Sequence, residues 1–291
     1  MNYRHAFHAG GFGDVVKHAA VAMMIEALKR KDKPFYALDT HAGIGRYDLG
    51  GAAAEKTGEW RQGILKVIEA ADSQSDAPAA LGPYLDLVRV MNGGLKGNPA
   101  DSLRAYPGSP RLVRALLRPA DRLALSELHP EDHAALVAEF RRDAQVQVHA
   151  LDGYVALKSF LPPPERRGLV LIDPPFEAAN EFERLTRALV QGHRRFATGA
   201  FIAWHPIKHI KEIDAFHAAL KATGVDRVLV LVFAVQPMDD AVRLNGCGLI
   251  MINPPWPLAE ELPPVLHFLH RALRRRGKST WRLEWLAGEA A

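Results

Sequence analysis

The four residues Asp173-Pro174-Pro175-Phe176 carry the strongest chemical signal in the chain. The Asp173 carboxylate and the main-chain carbonyl of Pro174 are both acceptors, so together they could bind the two N–H donors of an amino group. The two prolines fix the backbone on which these oxygens converge. The ring of Phe176 could stack on a flipped nucleobase, a contact worth about 1–3 kcal/mol. The motif therefore predicts a site that binds an aromatic amine and directs its lone pair at an electrophile.

Acidic or glycine residues follow three further predicted strands in the same way as Asp173 follows strand 168–172. In chain order they are Asp39-x-His41-x-Gly43-x-Gly45 after strand 34–39, Glu127 after strand 122–126 and Asp152-Gly153 after strand 146–149. In an open parallel sheet, ligands bind beyond the carboxyl ends of the strands, near the topological switch point. Four such groups in chain order predict one shared ligand crevice.

The elements that position these groups alternate along the chain. Apolar strands are spaced by amphipathic helices, which is typical of an α/β fold with a largely parallel sheet and helices on both faces. We expect residues 1–45 and 110–291 to form this framework around a seven-stranded sheet. Residues 46–109 contain two predicted helices, 59–71 and 78–91, separated by turn residues, and are expected to form a small helical insertion subdomain.

Composition narrows the class of protein. The chain has 291 residues, of which 48% are hydrophobic and 24% charged, which excludes a disordered chain. A net charge of +4 permits nucleic-acid binding without demanding it. The single cysteine, Cys247, excludes an intramolecular disulfide and a cysteine-based zinc site. No signal peptide or membrane-spanning stretch is found, so we expect a cytoplasmic protein.

The loop that contains Gly43 and Gly45 invites comparison with a dinucleotide-binding loop. That fingerprint has a third glycine, which is missing here, and an acidic residue about 20 residues further on. The next strand-terminal acid, Glu127, follows Gly45 by 127 − 45 = 82 residues. The predicted insertion explains this distance but not the missing glycine, so a nicotinamide site is disfavoured.

A metal site is the second alternative, because several histidines lie close in sequence or at the same predicted edge of the sheet. They are His5, His8, His18 and His41. No ligand set with a defined zinc spacing accompanies them. We therefore expect no metal.

The segment Asn253-Pro254-Pro255-Trp256 repeats the form of the Asp173 motif. It follows the predicted strand 248–252, which a loop without a helix joins to the predicted strand 228–235. Such a connection makes the two strands antiparallel. The segment should then lie at the edge of the sheet opposite Asp173, and we interpret it as structural.

With these residues in view, the sequence resembles the bacterial 23S ribosomal RNA (adenine(2030)-N6)-methyltransferases, a family of class I enzymes that use S-adenosylmethionine. The resemblance spans essentially the whole chain. The motifs that carry it are Tyr3-Arg4-His5-x-Phe7-His8-Ala9-Gly10, Lys17-His18, Leu38-Asp39-Thr40-His41-Ala42-Gly43, Tyr106-Pro107-Gly108-Ser109-Pro110, Glu127-Leu128-His129-Pro130 and Leu171-Ile172-Asp173-Pro174-Pro175. The N-terminal run and the insertion are specific to the family, whereas Asp-Pro-Pro is shared by many amino methyltransferases. A Rossmann-like fold is implied.

The resemblance also implies roles for individual residues. Asp173 would be the catalytic acceptor, with Pro174 and Phe176 beside it, although tyrosine is usual where Phe176 stands. Contacts with the cofactor are expected at Lys17, His18, Asp39, His41, Gly43, Ser109, Glu127, Asp152, Gly153 and Asp173. Residue chemistry supports two of them, since Glu127 can accept from both ribose hydroxyls and Asp152 from the adenine amine.

Contacts with RNA are expected around the mouth of the crevice. The resemblance implies that Tyr3 touches the RNA, and Tyr3, Arg4 and His5 would form an aromatic and basic lip. Basic clusters lie at residues 30–33, 166–167, 194–195 and 274–278. Each cluster is either a solvated helix end or part of a phosphate-binding rim around the crevice.

Together these features predict a monomeric enzyme that transfers a methyl group from S-adenosylmethionine to N6 of an adenine in 23S ribosomal RNA. We expect no membrane association and no obligate protein partner. One alternative is a DNA adenine-N6 or protein glutamine-N5 methyltransferase, which would share the motif. The other is a non-catalytic RNA-binding module, which the intact Asp39, Glu127, Asp152 and Asp173 disfavour.

Overall fold

The computed structural model describes residues 4–239, 242–275 and 277–288. The strands are β1 (Tyr36–Asp39), β2 (Arg46–Asp48), β3 (Ala105–Pro107), β4 (Arg122–Ser126), β5 (Val146–His149), β6 (Gly168–Ile172), β7 (Ala200–Ile207), β8 (Val228–Ala234), β9 (Gly246–Ile252) and β10 (Trp281–Ala287). The helices are α1 (Phe12–Lys29), α2 (Ala52–Thr57), α3 (Ile64–Ser73), α4 (Gly82–Met91), α5 (Pro99–Ser102), α6 (Ser109–Leu116), α7 (Pro130–Phe140), α8 (Gly153–Phe160), α9 (Glu181–Arg195), α10 (Ile210–Ala222) and α11 (Leu258–Leu273).

The main sheet has eight strands in the order β10-β8-β9-β7-β6-β1-β4-β5. The five strands from β7 to β5 in this order are parallel, while β9 is antiparallel to both of its neighbours and β10 is antiparallel to β8. The prediction of a mostly parallel α/β sheet is confirmed. The predicted count of seven strands is wrong, because β10 pairs with β8 and extends the sheet by one edge strand.

The strands of the sheet begin or end along two opposite sides, which we call the amino edge and the carboxyl edge. Neither term refers to the edge strands β10 and β5, which border the sheet laterally. At the carboxyl edge, β1, β4, β5, β6, β7 and β8 end, and Gly246 at the start of β9 pairs with both Ile207 and Ala234. Strand β10 also starts there, since Trp281 pairs with Phe233. At the amino edge the parallel strands begin and β9 ends. The predicted antiparallel pairing of the strand that precedes Asn253 is therefore confirmed.

Helices cover both faces of the sheet. On one face, α1, α6 and α11 share a hydrophobic core with residues of the inserted segment, such as Trp60 and Tyr84. On the other face, α8, α9 and α10 pack over a second core. Nearly every residue of α1 is buried, because this helix lies between the sheet, α11 and the insertion. In the described parts of the chain, no helix combines the length and apolar character that a bilayer crossing requires.

The segment 46–109, expected to be helical, contains a small sheet as well. Strands β2 and β3 pair in antiparallel fashion, with Arg46 opposite Pro107, so the two ends of the segment are joined. The helices α2 to α5 lie between these strands in the chain. Because its buried side chains belong to the same core as those of α1, the segment is packed firmly against the framework that holds the site.

Candidate active site

A cavity of about 630 Å³ opens at the carboxyl edge of the sheet. The loops that follow β1, β4, β5 and β6 meet there, as their strand ends predict. The predicted site residues in its wall are His5, Lys17, His41, Gly43, Ser109, Glu127, Asp152, Gly153, Asp173, Pro174 and Phe176. The structure therefore gathers most of the candidates from four separate strand ends into one space.

Four other candidates are not placed in the wall. Tyr3 lies outside the described residues. Asp39 and His18 are 1% and 0% exposed and sit behind the wall rather than in it. Arg4 lies on the surface, where it bonds to Glu131 and Asp132.

Glu127 is held in one orientation by main-chain donors. The N–H of Gly43 donates to Oε2 and the N–H of His129 donates to Oε1, each at 2.8 Å. Gly43 has φ +61°, and a Cβ there would lie 2.3 Å from the Tyr47 hydroxyl oxygen, so only glycine fits this turn. Each carboxylate oxygen keeps a second lone pair, with which Glu127 can accept from a pair of vicinal hydroxyls.

Asp152 and Gly153 form the start of α8. Oδ1 of Asp152 caps the helix by accepting from the N–H groups of Tyr154 and Val155 at 2.9 and 3.1 Å. A Cβ on Gly153 would lie 2.3 Å from the carbonyl oxygen of Thr40, so the absence of a side chain lets two loops meet. The capped carboxylate faces the cavity from a fixed position.

His41 is neutral. Its Nδ1 lies 2.8 Å from Oγ1 of Thr40, and the ring packs edge-on against Tyr154 with 5.4 Å between centroids. Burial lowers the pKa of His41 to about 4, because the charged imidazolium would lose its water. The cavity therefore has an uncharged aromatic wall on this side.

Asp39 positions its neighbours from behind the wall. Its Oδ2 accepts from the Ser109 hydroxyl at 2.6 Å, and its Oδ1 accepts from the His41 N–H at 3.3 Å. Burial raises the pKa of Asp39 to about 7, and the negative charge of Asp173 adds to the effect. Asp39 thus orders two residues that do line the cavity. Its own contact with a cofactor stays a prediction.

Asp173 forms a buried ion pair that the sequence did not predict. Nζ of Lys17 donates to Oδ2 of Asp173 at 2.5 Å and to Oδ1 of Asp14 at 2.9 Å. Burial opposes the charge on Lys17, but the carboxylates of Asp14 and Asp173 raise its pKa well above the usual value. Lys17 therefore holds one oxygen of the Asp173 carboxylate in place. The contact between Lys17 and Asp14 could have been predicted from the sequence, because residues three apart on a helix are neighbours. The contact between Lys17 and Asp173 could not.

Phe176 adopts a backbone conformation that is uncommon for a non-glycine residue, with φ +48°. Its ring meets those of Phe182 and Trp204 edge-on, at centroid distances of 5.0 and 6.2 Å. Trp204, which also lines the cavity, was missed by the sequence analysis. It lies in β7, near the carboxyl edge. The rule that ligands bind near the carboxyl ends of parallel strands, which predicted Asp173, therefore applies to Trp204 as well.

The N-terminal segment crosses one side of the cavity and is tied down at two points. Arg4 bonds to Asp132 at 3.0 Å, at the start of α7. Nε2 of His5 lies 2.9 Å from Oδ2 of Asp14. Burial favours the neutral acid, but His5 and Lys17 lower the pKa of Asp14 well below its usual value. Asp14 lies in the first turn of α1, where its carboxylate joins His5 to Lys17.

The four histidines considered for a metal site have separate partners. His18, the candidate that the structure does not bring to the cavity, bonds through Nδ1 to the Tyr106 hydroxyl at 2.8 Å. Burial lowers the pKa of His18 to about 3, so its neutral ring ties α1 to the insertion. His8 lies 2.9 Å from Glu59. Over the described ranges, no group of three or more metal-binding side chains is arranged to hold an ion.

Comparison with known proteins gives consistent matches over the whole chain. Residues 32–287 match a family model described as "Ribosomal RNA large subunit methyltransferase D, RlmJ". The chain is 42% identical over 289 residues to "Ribosomal RNA large subunit methyltransferase J" of Escherichia coli K12, covering 99% of this chain and 100% of that protein. A protein of the same name from Haemophilus influenzae is 38% identical over 289 residues, with 99% and 100% covered. The crystal structure of protein LPL1258 from Legionella pneumophila has a TM-score of 0.85 at 31% identity, over 96% and 98% of the two chains.

Proposed function

We infer, since the chain belongs to the ribosomal RNA large subunit methyltransferase J family, that its cavity binds S-adenosylmethionine and methylates N6 of an adenine in 23S ribosomal RNA. The chain is a methyltransferase with a class I, Rossmann-like fold. The target is adenine 2030 by the family resemblance. The observation that carries the reaction type is the joint placement of Asp173, Pro174 and Phe176 in the wall that also contains Glu127 and Asp152.

The cavity wall fits the cofactor. Glu127 offers a free lone pair on each oxygen for the two ribose hydroxyls, and Asp152 offers an acceptor for the adenine amine. Gly43 and Gly153 both lie in this wall, where a Cβ would clash with the Tyr47 hydroxyl or the Thr40 carbonyl, so glycine lets the loops pack closely around the cavity. When bound, the cofactor supplies a methyl group on a positively charged sulfur, which becomes a neutral leaving group.

The residues at the Asp173 corner would act on the adenine. Two oxygens would accept hydrogen bonds from the two N–H groups of the exocyclic amine. One is Oδ1 of Asp173, which Lys17 does not bind, and the other is the carbonyl oxygen of Pro174. Holding both hydrogens to one side leaves the nitrogen lone pair directed across the cavity. Phe176 would stack on the base and offset part of the few kcal/mol that unstacking costs.

Lys17 would have a positioning role in this scheme. It neutralises the charge of Asp173 without donating to the oxygen assigned to the substrate. Two carboxylates already use two of its three N–H donors, so one donor remains for an anionic group of the cofactor. This reconciles the expected cofactor contact of Lys17 with the observed ion pair.

The N-terminal lip, Tyr3, Arg4 and His5, would contact the RNA beside the cavity. His5 lines the cavity, and Arg4 anchors the segment to α7. Tyr3→Ala should raise the KM for RNA by about tenfold, as expected for one lost stacking contact, and leave the affinity for the cofactor within twofold. Equal losses of both affinities would contradict this placement.

We also propose that the enzyme acts as a monomer in the cytoplasm. The large apolar side chains exposed in the described residues come from different helices and loops of the chain, and single exposed apolar residues are normal on a monomer: Val90, Leu128, Val137, Val155, Val242 and Trp256. Sedimentation at micromolar concentration should give the mass of one chain. A stable dimer would overturn the proposal.

The substrate class is tested by offering the protein three acceptors with tritiated S-adenosylmethionine. Unmodified 23S ribosomal RNA should incorporate label, whereas duplex DNA and cellular protein should not. Mapping the modified base in the labelled RNA should give N6-methyladenine at one position. Label confined to DNA or protein would overturn the substrate assignment, and cofactor binding without transfer to any acceptor would favour the non-catalytic alternative.

A further inference from the structure

The four basic clusters of the sequence lie at different edges of the sheet. Residues 30–33 connect the end of α1 to β1, residues 166–167 precede β6, and residues 194–195 end α9, so these three lie at the amino edge. The fourth, 274–278, connects the end of α11 to the start of β10 at the carboxyl edge, beside the cavity. Its Arg276 lies outside the described residues.

At the amino edge, one arginine of each cluster connects parts of the fold. Arg30 pairs with Glu261 at 2.7 Å. Arg167 donates to the main-chain carbonyl of Lys33 at 2.6 Å, and Arg195 donates to that of Lys158 at 2.7 Å. These three arginines connect neighbouring elements, so their presence is explained by the fold without a role in binding phosphate.

The cluster at the carboxyl edge lines a surface groove instead. The groove residues are His270, Arg274, Arg275, Gly277, Lys278, Ser279 and Thr280. The side chains of Arg274, Arg275 and Lys278 are exposed, and in the part of the chain that the structure describes none of the three forms an ion pair. Arg271, one turn earlier on α11, does pair, with Asp76 at 2.7 Å. The groove thus concentrates unpaired positive charge.

The groove is held rigidly by main-chain bonds to the sheet. The N–H of Arg275 donates to the carbonyl of Val235 at 2.7 Å, and the N–H of Ala234 donates to the carbonyl of Thr280 at 2.9 Å. Burial and the positive charge of Arg274 lower the pKa of His270, which agrees with a positive local potential. Three cations that form no ion pair within the described residues, together with two hydroxyl side chains on a fixed segment, suit a phosphate group.

One contact connects the groove to the active site. The guanidinium of Arg275 lies over the ring of Phe12, 5.4 Å from its centroid, and Phe12 lines the catalytic cavity. Lys208, exposed at the carboxyl edge, also lines the cavity. Phosphates along one nucleic-acid strand are only a few ångströms apart, so a strand whose base enters the cavity has neighbouring phosphates within reach of the groove.

We propose that this groove binds backbone phosphates of the RNA strand that flanks the flipped adenine. The proposal rests on the function inferred above and adds the surface that holds the RNA outside the cavity. Phosphate contacts fix orientation without reading sequence. The groove therefore contributes to RNA affinity, while the cavity selects the base.

The test compares two triple variants that each remove three positive charges. The groove variant is Arg274→Gln/Arg275→Gln/Lys278→Gln. The control variant is Lys31→Gln/Arg166→Gln/Arg194→Gln, whose side chains are exposed at the amino edge and form no ion pair within the described residues. Each is assayed for methylation of an unmodified 23S RNA transcript, for RNA binding at several salt concentrations and for cofactor binding by calorimetry.

The groove variant should raise the KM for RNA by about tenfold and reduce the slope of log K against log salt by about 2, since each lost phosphate contact removes roughly 0.7–0.9. Its kcat at saturating RNA and its cofactor affinity should stay within twofold of the parent. The control should match the parent throughout. The single variant Lys278→Glu, at an exposed position, should raise KM more than Lys278→Gln and guards against misfolding of the triple variant.

Equal KM values for the groove and control variants would overturn the groove proposal and leave the function intact, provided that the parent methylates the transcript. If the parent neither binds nor methylates the RNA, both proposals fail. A loss of kcat or cofactor affinity with an unchanged KM would also contradict the groove proposal, because it would place these residues in the catalytic cavity.

Discussion

Two corners of the molecule have nearly the same sequence pattern and opposite surroundings. Asp173-Pro174-Pro175-Phe176 follows β6, and Asn253-Pro254-Pro255-Trp256 follows β9; both strands are fully buried. Because β6 is parallel to its neighbours and β9 is antiparallel, the first corner lies at the carboxyl edge and the second at the amino edge. Strand direction, rather than the motif itself, decides which corner meets the ligand crevice.

The side chains of the two corners differ accordingly. Nδ2 of Asn253 donates to the carbonyls of Ala197 and Gly199 at 2.8 and 3.0 Å, and Trp256 is 76% exposed. Asp173 and Phe176 line the cavity instead. Both corners contain one residue whose backbone is in the left-handed region. At the amino edge this residue is Asn253, and asparagine tolerates the conformation, whereas at the carboxyl edge it is Phe176, for which the conformation is uncommon. Strain of this kind accumulates at functional sites.

Exchanging the first residue of each corner should give the largest difference between them. In Asp173→Asn the remaining side-chain oxygen can still accept from Lys17, which leaves the NH2 group, a donor, in front of the substrate amine. The kcat should therefore fall by about 10²- to 10³-fold, which is what one lost transition-state contact costs. Calorimetry should show cofactor affinity within threefold of the parent. Asn253→Asp should keep kcat within twofold. If Asp173→Asn kept a tenth or more of the activity, the proposed difference between a catalytic corner at Asp173 and a structural corner at Asn253 would be contradicted.

Truncating the aromatic residues is the next comparison. Phe176→Ala should lower kcat/KM for RNA by about 5- to 150-fold, which corresponds to a stacking contact of about 1–3 kcal/mol. Trp256→Ala should leave kcat/KM unchanged, since that ring is exposed far from the cavity. Steady-state kinetics with the RNA transcript measures both. Similar effects of the two substitutions would argue against stacking at Phe176.

Asn253→Ala should affect stability and not catalysis. It removes both donors to Ala197 and Gly199, and the free energy of unfolding should fall by about 1–2 kcal/mol. Urea denaturation should show a lower midpoint with an unchanged slope. A loss of kcat at saturating substrate would contradict the structural role assigned to this corner.

Asp39, which is buried behind the carboxyl edge, should make the free energy of unfolding depend on pH. Burial raises its pKa to about 7 in the folded state, so between about pH 4 and 7 the unfolded chain has released a proton that the folded chain retains. Stability should then decrease as pH rises through this window, by up to about 1.4 kcal/mol per pH unit. Asp39→Asn should flatten this part of the profile in urea unfolding at pH 5, 6 and 7. An identical profile would show that Asp39 is ionised in the fold.

The strand ends were predictable because each ends in a recognisable polar group. Asp173 and Glu127 follow buried apolar runs, Asp152 follows the half-exposed edge strand β5, and parallel strands bring such ends together. The opposite location of Asn253 followed from a loop without a helix. Local patterns of this kind fix both the direction of a strand and the edge at which it ends.

The partners of buried polar side chains were not predictable in the same way. Lys17 and Asp173 are 156 residues apart, and no local pattern relates them. His18 points into the interface with the insertion and bonds to Tyr106, a contact that depends on how two separate segments pack. The sheet has eight strands where seven were expected, and its edge strand β10 shows half-exposed residues in place of the continuous apolar run of the central strands.

The central claim is that one oxygen of Asp173 and the carbonyl oxygen of Pro174 together hold the exocyclic nitrogen of the adenine. A crystal structure of the protein with S-adenosylhomocysteine and an adenosine nucleotide tests it directly. We expect that nitrogen within about 2.7–3.2 Å of both oxygens, with Phe176 against the face of the base. An amine bound elsewhere in the cavity, or a base stacked away from Phe176, would contradict the account.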